Sequence, residues 1–181
     1  MTPAKKRRNS WIAALIIAAP FVWTIPTYFY LRADTELKNS TCSTRLQHFH
    51  KGFLGYASRH NGRLPEANGW IEATEINEPS FLKCPADSTA LGFSYAMNAN
   101  LSEKKISDIK NPSQVILLYE ATSKQGSHFG TGKDLVDIGK PPSGQGRHNL
   151  IAYRFNHFLM ADGTVRRAGT PEEMKKLRWT P

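Results

Sequence analysis

Two cysteines, Cys42 and Cys84, and six histidines hold most of the chemical capacity of this 181-residue chain. Two isolated cysteines cannot make a structural zinc site by themselves. In an oxidising compartment they would pair and close a loop of about 40 residues, a gain of roughly 3–4 kcal/mol in a chain-entropy account. The alternative is two free buried thiols; the disulfide is the expectation. His48 and His50 are two apart, which on a helix points them to different sides and away from a shared ion. His60 falls at a predicted helix end, where a cation offsets the dipole. His148, His157 and Asp162 can converge if the last strands pair, since imidazole and carboxylate are ordinary metal ligands. Against that stands a structural role, with His148 bonded to neighbouring backbone and Asp162 making a turn. No metal is the expectation, and these three are weak candidates.

Signatures of catalysis fail on inspection. Gly130-Thr-Gly-Lys133 has no glycine five before Gly132, and Asp134 stands where a phosphate loop needs Ser or Thr. No Gly-x-Ser-x-Gly elbow surrounds Ser143, and neither cysteine has the setting of a catalytic nucleophile. The aromatics Phe81, Phe93, Tyr95, Tyr119, Phe155 and Phe158 fit a core better than a ligand stack. Trp70 and Trp179, with fewer apolar neighbours, are candidate surface contacts. A non-enzymatic protein is expected.

The elements that must position these residues begin with an anchor. Lys5-Lys6-Arg7-Arg8 precedes an uncharged run, Trp11 to Leu31. About 21 such residues suffice to cross a hydrocarbon core as a helix. Trp11, Tyr28 and Tyr30 lie at its ends, where aromatic rings favour the interface. The run ends in Tyr-Phe-Tyr-Leu-Arg rather than in small residues, so an uncleaved signal anchor is expected over a cleaved leader. The cations mark residues 1–10 as cytoplasmic, residues 11–31 as the span and residues 32–181 as an exported head. Much of the +9 formal charge sits in the basic block, and the remaining pairs are thinly spread, so nucleic acid is not an expected partner. The lipid bilayer is an expected partner.

Beyond Arg32 the helical pattern continues. Leu37, Cys42, Leu46, Phe49, Phe53 and Tyr56 form one apolar stripe, predicting an outer helix over about 34–60. Asn61-Gly62 and Pro65 stop it. Anchor and stripe can form one helix, or break among the cap formers Asp34, Asn39, Ser40 and Thr41. Strands are predicted in 92–97, 114–119, 149–155 and 157–161. Asp162-Gly163 gives a two-residue hairpin signal before 164–167. Residues 122–147 look like an exposed excursion. Thr170-Pro-Glu-Glu173 starts a short helix running to about Arg178.

Six phrases in order resemble the pseudopilin-like proteins whose C-terminal region is the prepilin-type H-X9-DG domain. They are Cys42-Ser-Thr-Arg-Leu-Gln47, Tyr56-Ala-Ser-Arg-His-Asn-Gly-Arg-Leu-Pro65, Cys84-Pro-Ala-Asp87, Ser94-Tyr-Ala-Met-Asn98, Asn111-Pro-Ser-Gln-Val-Ile-Leu117, and Arg147-His148-Asn149 with Phe158-Leu-Met-Ala-Asp-Gly-Thr-Val165. The resemblance covers about residues 42–168, with His148, Asn149, Asp162 and Gly163 as its motif. It implies an α+β, pilin-like fold related to type II secretion pseudopilins: a long N-terminal helix on a small antiparallel sheet, here spanning about 80–168. It also brings in calcium, which some such proteins bind in a C-terminal loop, with Asp134 and Asp137 as the nearby carboxylates. Two carboxylates are few for an ion that takes six to eight oxygens.

Two departures accompany the resemblance. Asn9-Ser10-Trp11 and the residues after it lack the glycine cleavage site and the Phe-Thr-Leu-Ile-Glu type run of a prepilin. Thirteen residues, not nine, separate His148 from Asp162. The expected function is a pilin-like structural protein of the bacterial inner membrane, with its head in the periplasm or outside. It would serve as an accessory component of a type II secretion or type IV pilus-like system, with other pilin-like or secretion-system proteins as its partners. The alternative is an anchored periplasmic binding module for a metal ion or surface polymer.

Overall fold

A computed structural model describes residues 3–76, 78–87, 93–121, 129–132, 147–150 and 153–181, leaving aside the side chains of 3–23 and 149–150. The chain divides into two compact units, Met1–Glu36 and Leu37–Pro181. Helix α1, Pro3–Arg59, runs through both, without a break at Asp34–Thr41. In the first unit Arg32 pairs with Glu36 at 3.0 Å, and Ile25, Tyr28, Phe29, Tyr30 and Leu31 are exposed. Among the described residues no helix is long and apolar enough to cross a membrane. Most of the predicted span 11–31 falls on residues up to 23, whose side chains lie outside the description.

In the second unit the buried stripe of α1 is Asn39, Cys42, Leu46, Phe49, Phe53 and Ala57, at three- and four-residue steps. Leu37, expected in the stripe, is instead exposed, because Asn39 takes the inward place one turn before Cys42. The helix ends as its sequence predicts. Asn61 is left-handed at φ 55° and Gly62 at φ 75°, and the Gly62 N–H reaches back to the Ala57 carbonyl at 2.8 Å.

Short helices α2 (Trp70–Ala73) and α3 (Pro79–Leu82) follow, and α4 (Pro171–Met174) comes near the end of the chain. The strands are β1 (Tyr95–Asn98), β2 (Ile116–Glu120), β3 (Phe129–Gly130), β4 (His148–Leu150), β5 (Tyr153–Met160) and β6 (Val165–Ala168). Their order is β3-β1-β2-β5-β4, with β6 also paired to β5. The sheet is mixed rather than purely antiparallel, since β3 joins β1 in parallel. The predicted strands 149–155 and 157–161 are redivided. Strand β4 ends at Leu150 and β5 begins at Tyr153, and β5 continues unbroken past His157. Helix α4 stops at Met174, short of Arg178, under a capping box between Thr170 and Glu173.

The turn at Asp162-Gly163 has three loop residues, not two. Met160 donates to the Thr164 carbonyl at 2.8 Å and accepts from Gly163 at 2.9 Å, with Gly163 left-handed at φ 88°. A Cβ there would lie 2.5 Å from the His50 ring, so a close approach also demands glycine.

The two sheet faces carry separate cores. Tyr95, Met97, Leu118 and Leu159 face Cys42, Leu46, Phe49 and Phe53 of α1. Ala96, Ile116, Tyr119, Phe158 and Met160 face the other way, towards Leu177, Met174 and Trp179. Trp70 belongs to the first core, stacked on Phe53 at 5.6 Å and fully buried, so it is not the surface contact expected. Trp179 is half-buried, edge-on to Tyr119 at 5.0 Å.

Candidate functional site

The chemistry-bearing residues of the head collect where α1 crosses the ends of β2 and β4. Cys42 comes from α1, Cys84 from the segment after α3, Glu120 from the end of β2 and His148 from the start of β4. The two sulfurs, a Glu120 oxygen and a His148 ring nitrogen all lie within 4.8 Å of one another, and none of the four residues is more than 1% exposed.

Glu120 faces α1 because of an irregularity in β2. Ile116 pairs with Met160 and Leu118 with Leu159, so Leu117 is an extra residue in the ladder. A bulge of this kind shifts the two-residue alternation of sides. Without it Tyr119 would face the helix and Glu120 the opposite core. On β4 the register pairs His148 with Phe155, and the two rings stack at 5.6 Å. Cross-strand partners share a face, so His148 joins Phe155 and His157 on one side.

The polar groups are closely interlocked. His148 Nε2 lies 2.7 Å from Glu120 Oε1 and 3.3 Å from Cys84 Sγ, and Nδ1 lies 2.6 Å from Asn39 Oδ1. Cys42 Sγ donates to Glu120 Oε1 at 3.1 Å and lies 3.0 Å from the Tyr95 hydroxyl. The His157 N–H donates to Glu120 Oε2 at 2.9 Å, and the Ala86 N–H to Cys84 Sγ at 3.4 Å. Behind Cys84, Ser94 Oγ accepts from the Cys84 N–H and donates to Asp87, which pairs with Arg147 at 3.1 Å.

Electrostatics follow from that closeness. Burial would raise the Glu120 carboxyl, but the His148 imidazole bonded to it holds it down at about 2. Burial likewise opposes a charge on His148, yet the Cys84 sulfur and the Glu120 carboxylate raise it to about 9. The Cys84 thiol is lowered to about 6, first by its bond with Cys42 and then, against burial, by His148. Burial keeps the Cys42 thiol well above its ordinary value. A thiolate beside an imidazolium is the pairing of an activated nucleophile. Here both groups are buried.

Several predicted placements change. Cys42 and Cys84 meet, as the expected disulfide requires, but both are free thiols. Each sulfur is engaged by other polar groups of the cluster. The His148 ring bonds to side chains rather than to neighbouring backbone. His157 converges with it at 4.3 Å between ring centroids. Asp162 does not join them; it accepts from the N–H and hydroxyl of Thr164 in the β5–β6 turn, the structural role expected of it over metal binding. His48 and His50 do diverge, towards Phe81 and Gly163 respectively. Asn149 lies in β4 opposite Arg154, with its side chain outside the description, and Asp134 and Asp137 lie outside the described residues altogether.

Sequence reasoning missed Glu120 and Asn39. The available signals were a carboxylate closing the apolar run Val115–Tyr119 and an amide three residues before Cys42 on the helix. Compared with models of known protein families, with curated proteins and with solved structures, the chain matches none.

Proposed function

We propose that this protein is a membrane-anchored, pilin-like structural component of the bacterial envelope, non-enzymatic and held by its N-terminal helix. The observation that carries this reading is the continuity of α1, Pro3–Arg59. Its last turns supply Cys42, Leu46, Phe49 and Phe53 to the head core at 0% exposure, while its earlier part belongs to a separate unit. A helix greasy all round in one half and amphipathic in the other has a bilayer and a protein core as its two natural surroundings. The exposed Ile25, Tyr28, Phe29 and Leu31 and the uncharged run they end support the lipid half. The four-cation block supports export of the head.

The test is a pair of reporters fused after Pro181, one active only in the cytoplasm and one active only after export. The exported reporter should respond, in a fraction that carbonate washing does not release. Strong signal from the cytoplasmic reporter would overturn the assignment. Co-purification of pilin-like or secretion proteins with the detergent-extracted chain then tests the envelope role.

A further inference from the structure

We propose that Cys42, Cys84, Glu120 and His148 form a closed four-coordinate site for a zinc-class divalent ion that fastens four segments of the head together. Two sulfurs, an imidazole nitrogen and a carboxylate oxygen are the donor types such ions take. Thiolates select against calcium and magnesium, which prefer all-oxygen shells. Bonds of about 2.0–2.3 Å to a central ion set tetrahedral edges of roughly 3.3–3.8 Å. The four donor atoms span separations from 2.7 Å to at most 4.8 Å, so small shifts of side chains already aimed at one point would seat an ion.

The surroundings are those that ligands need. Asn39 Oδ1, 2.6 Å from His148 Nδ1, accepts that nitrogen's proton and leaves the Nε2 lone pair for a metal. The His157 N–H holds the far oxygen of Glu120 and turns the near one inward. The Ala86 N–H points at the Cys84 sulfur, and the Tyr95 hydroxyl lies against that of Cys42. Each of the four donor groups is thus met by a second group, a near neighbour for Cys84 and a residue distant in sequence for the other three. His157 lies beside the site: its ring is fully buried against His148, and among the described residues neither nitrogen has a hydrogen-bond partner. Imidazole is costly to bury that way.

With all four ligands supplied by protein and none exposed, no position is left for a substrate water, which marks a structural rather than a catalytic centre. The ion would join α1, the Cys84 segment, β2 and β4, and so lock the helix to the sheet at the end of the stripe nearest Leu37. The site does not depend on the membrane tether.

The test uses the full chain in detergent, purified without chelator under inert gas. Elemental analysis should find about one zinc per chain. Cobalt exchanged for it should give thiolate-to-cobalt charge transfer and the visible bands of a tetrahedral ion. Cys42→Ser, Cys84→Ser and His148→Ala should each weaken zinc binding at least tenfold, whereas His48→Ala, which alters an exposed histidine outside the cluster, should not. Chelation should lower the melting temperature of the wild type, and zinc should restore it. A native protein carrying a Cys42–Cys84 disulfide would overturn the proposal, as would a reduced, folded chain that takes up no zinc in excess. So would cobalt uptake without thiolate charge transfer, a measurement on wild type that stands even where a variant does not fold.

Discussion

Among single residues, His157 makes the sharpest claim about pH. Burial pushes its imidazole down to about 4 from an ordinary 6.5, with the neighbouring His148 adding to the effect. In the folded head the ring stays neutral where the unfolded chain takes up a proton. The sign is therefore fixed: full stability above pH 6.5, and loss as the pH falls from 6.5 towards 4. Denaturation of wild type and of His157→Leu across that window should show the variant with the flatter profile, the difference reaching about 2–3 kcal/mol. Equal slopes would refute the assignment. Arg147 makes a claim about burial. Its guanidinium is 3.1 Å from Asp87 and donates to the carbonyls of Ser94 and Ala121 at 2.8 Å. Arg147→Ala removes the cation beside a buried carboxylate, so urea unfolding should register a loss of about 3–5 kcal/mol.

Among elements, the junction of β6 and α4 is held by close approach and by capping. A Cβ built on Gly169 would fall 1.9 Å from the Arg154 carbonyl oxygen, a backbone atom of β5 that cannot swing aside. The neighbouring carboxylate of Glu173 accepts from the N–H groups of Gly169 and Thr170 at 2.8 and 3.1 Å, and the Tyr153 hydroxyl also donates to it. Gly169→Ala should force strand and turn apart and destabilise the head by roughly 1–3 kcal/mol. Thr170→Ala loses only the cap, about 1 kcal/mol. Thermal melts of the two variants should preserve that ranking; a harmless Gly169→Ala would mean β6 does not lie against β5 as described.

For the whole molecule, the proposed function raises the question of how an anchored, pilin-like protein would relate to filaments. A prepilin's early glutamate is an intramembrane charge, costly unless a neighbouring subunit's new N-terminal amine meets it. Residues 11–31 contain no ionisable carboxylate or amine, and no glycine precedes Trp11. Small residues such as Ala13, Ala14, Ala18 and Ala19 would still let helices approach closely, but without the charge that sets their stagger. The chain is expected to keep its basic N-terminus in the membrane fraction and to form no long homopolymer when overproduced. N-terminal sequencing that began within residues 9–12, or filaments of this protein alone, would contradict this.

Local physics made much of the molecule legible. Spacing of apolar residues on α1 fixes which face is buried, because a helix repeats every 3.6 residues whatever it packs on. Asn61-Gly62 ends it and Thr170-Pro171-Glu172-Glu173 starts α4 through bonds that reach only a few residues along the chain. The candidate site was legible only in its cysteines and in His148. Its remaining members depend on contacts distant in sequence: Asn39 reaches His148 across 109 positions, and Cys42 reaches Glu120 across 78. Glu120 faces the helix because one extra residue at Leu117 inverts the strand's alternation, and nothing in Gln114-Val-Ile-Leu-Leu-Tyr-Glu120 announces a bulge. Strand register is settled by partners that the strand's own residues do not encode. So the sequence by itself determined most of the buried face of the helix, its C-terminal end and the two thiols, while tertiary pairing alone decided that those thiols meet a carboxylate and an imidazole.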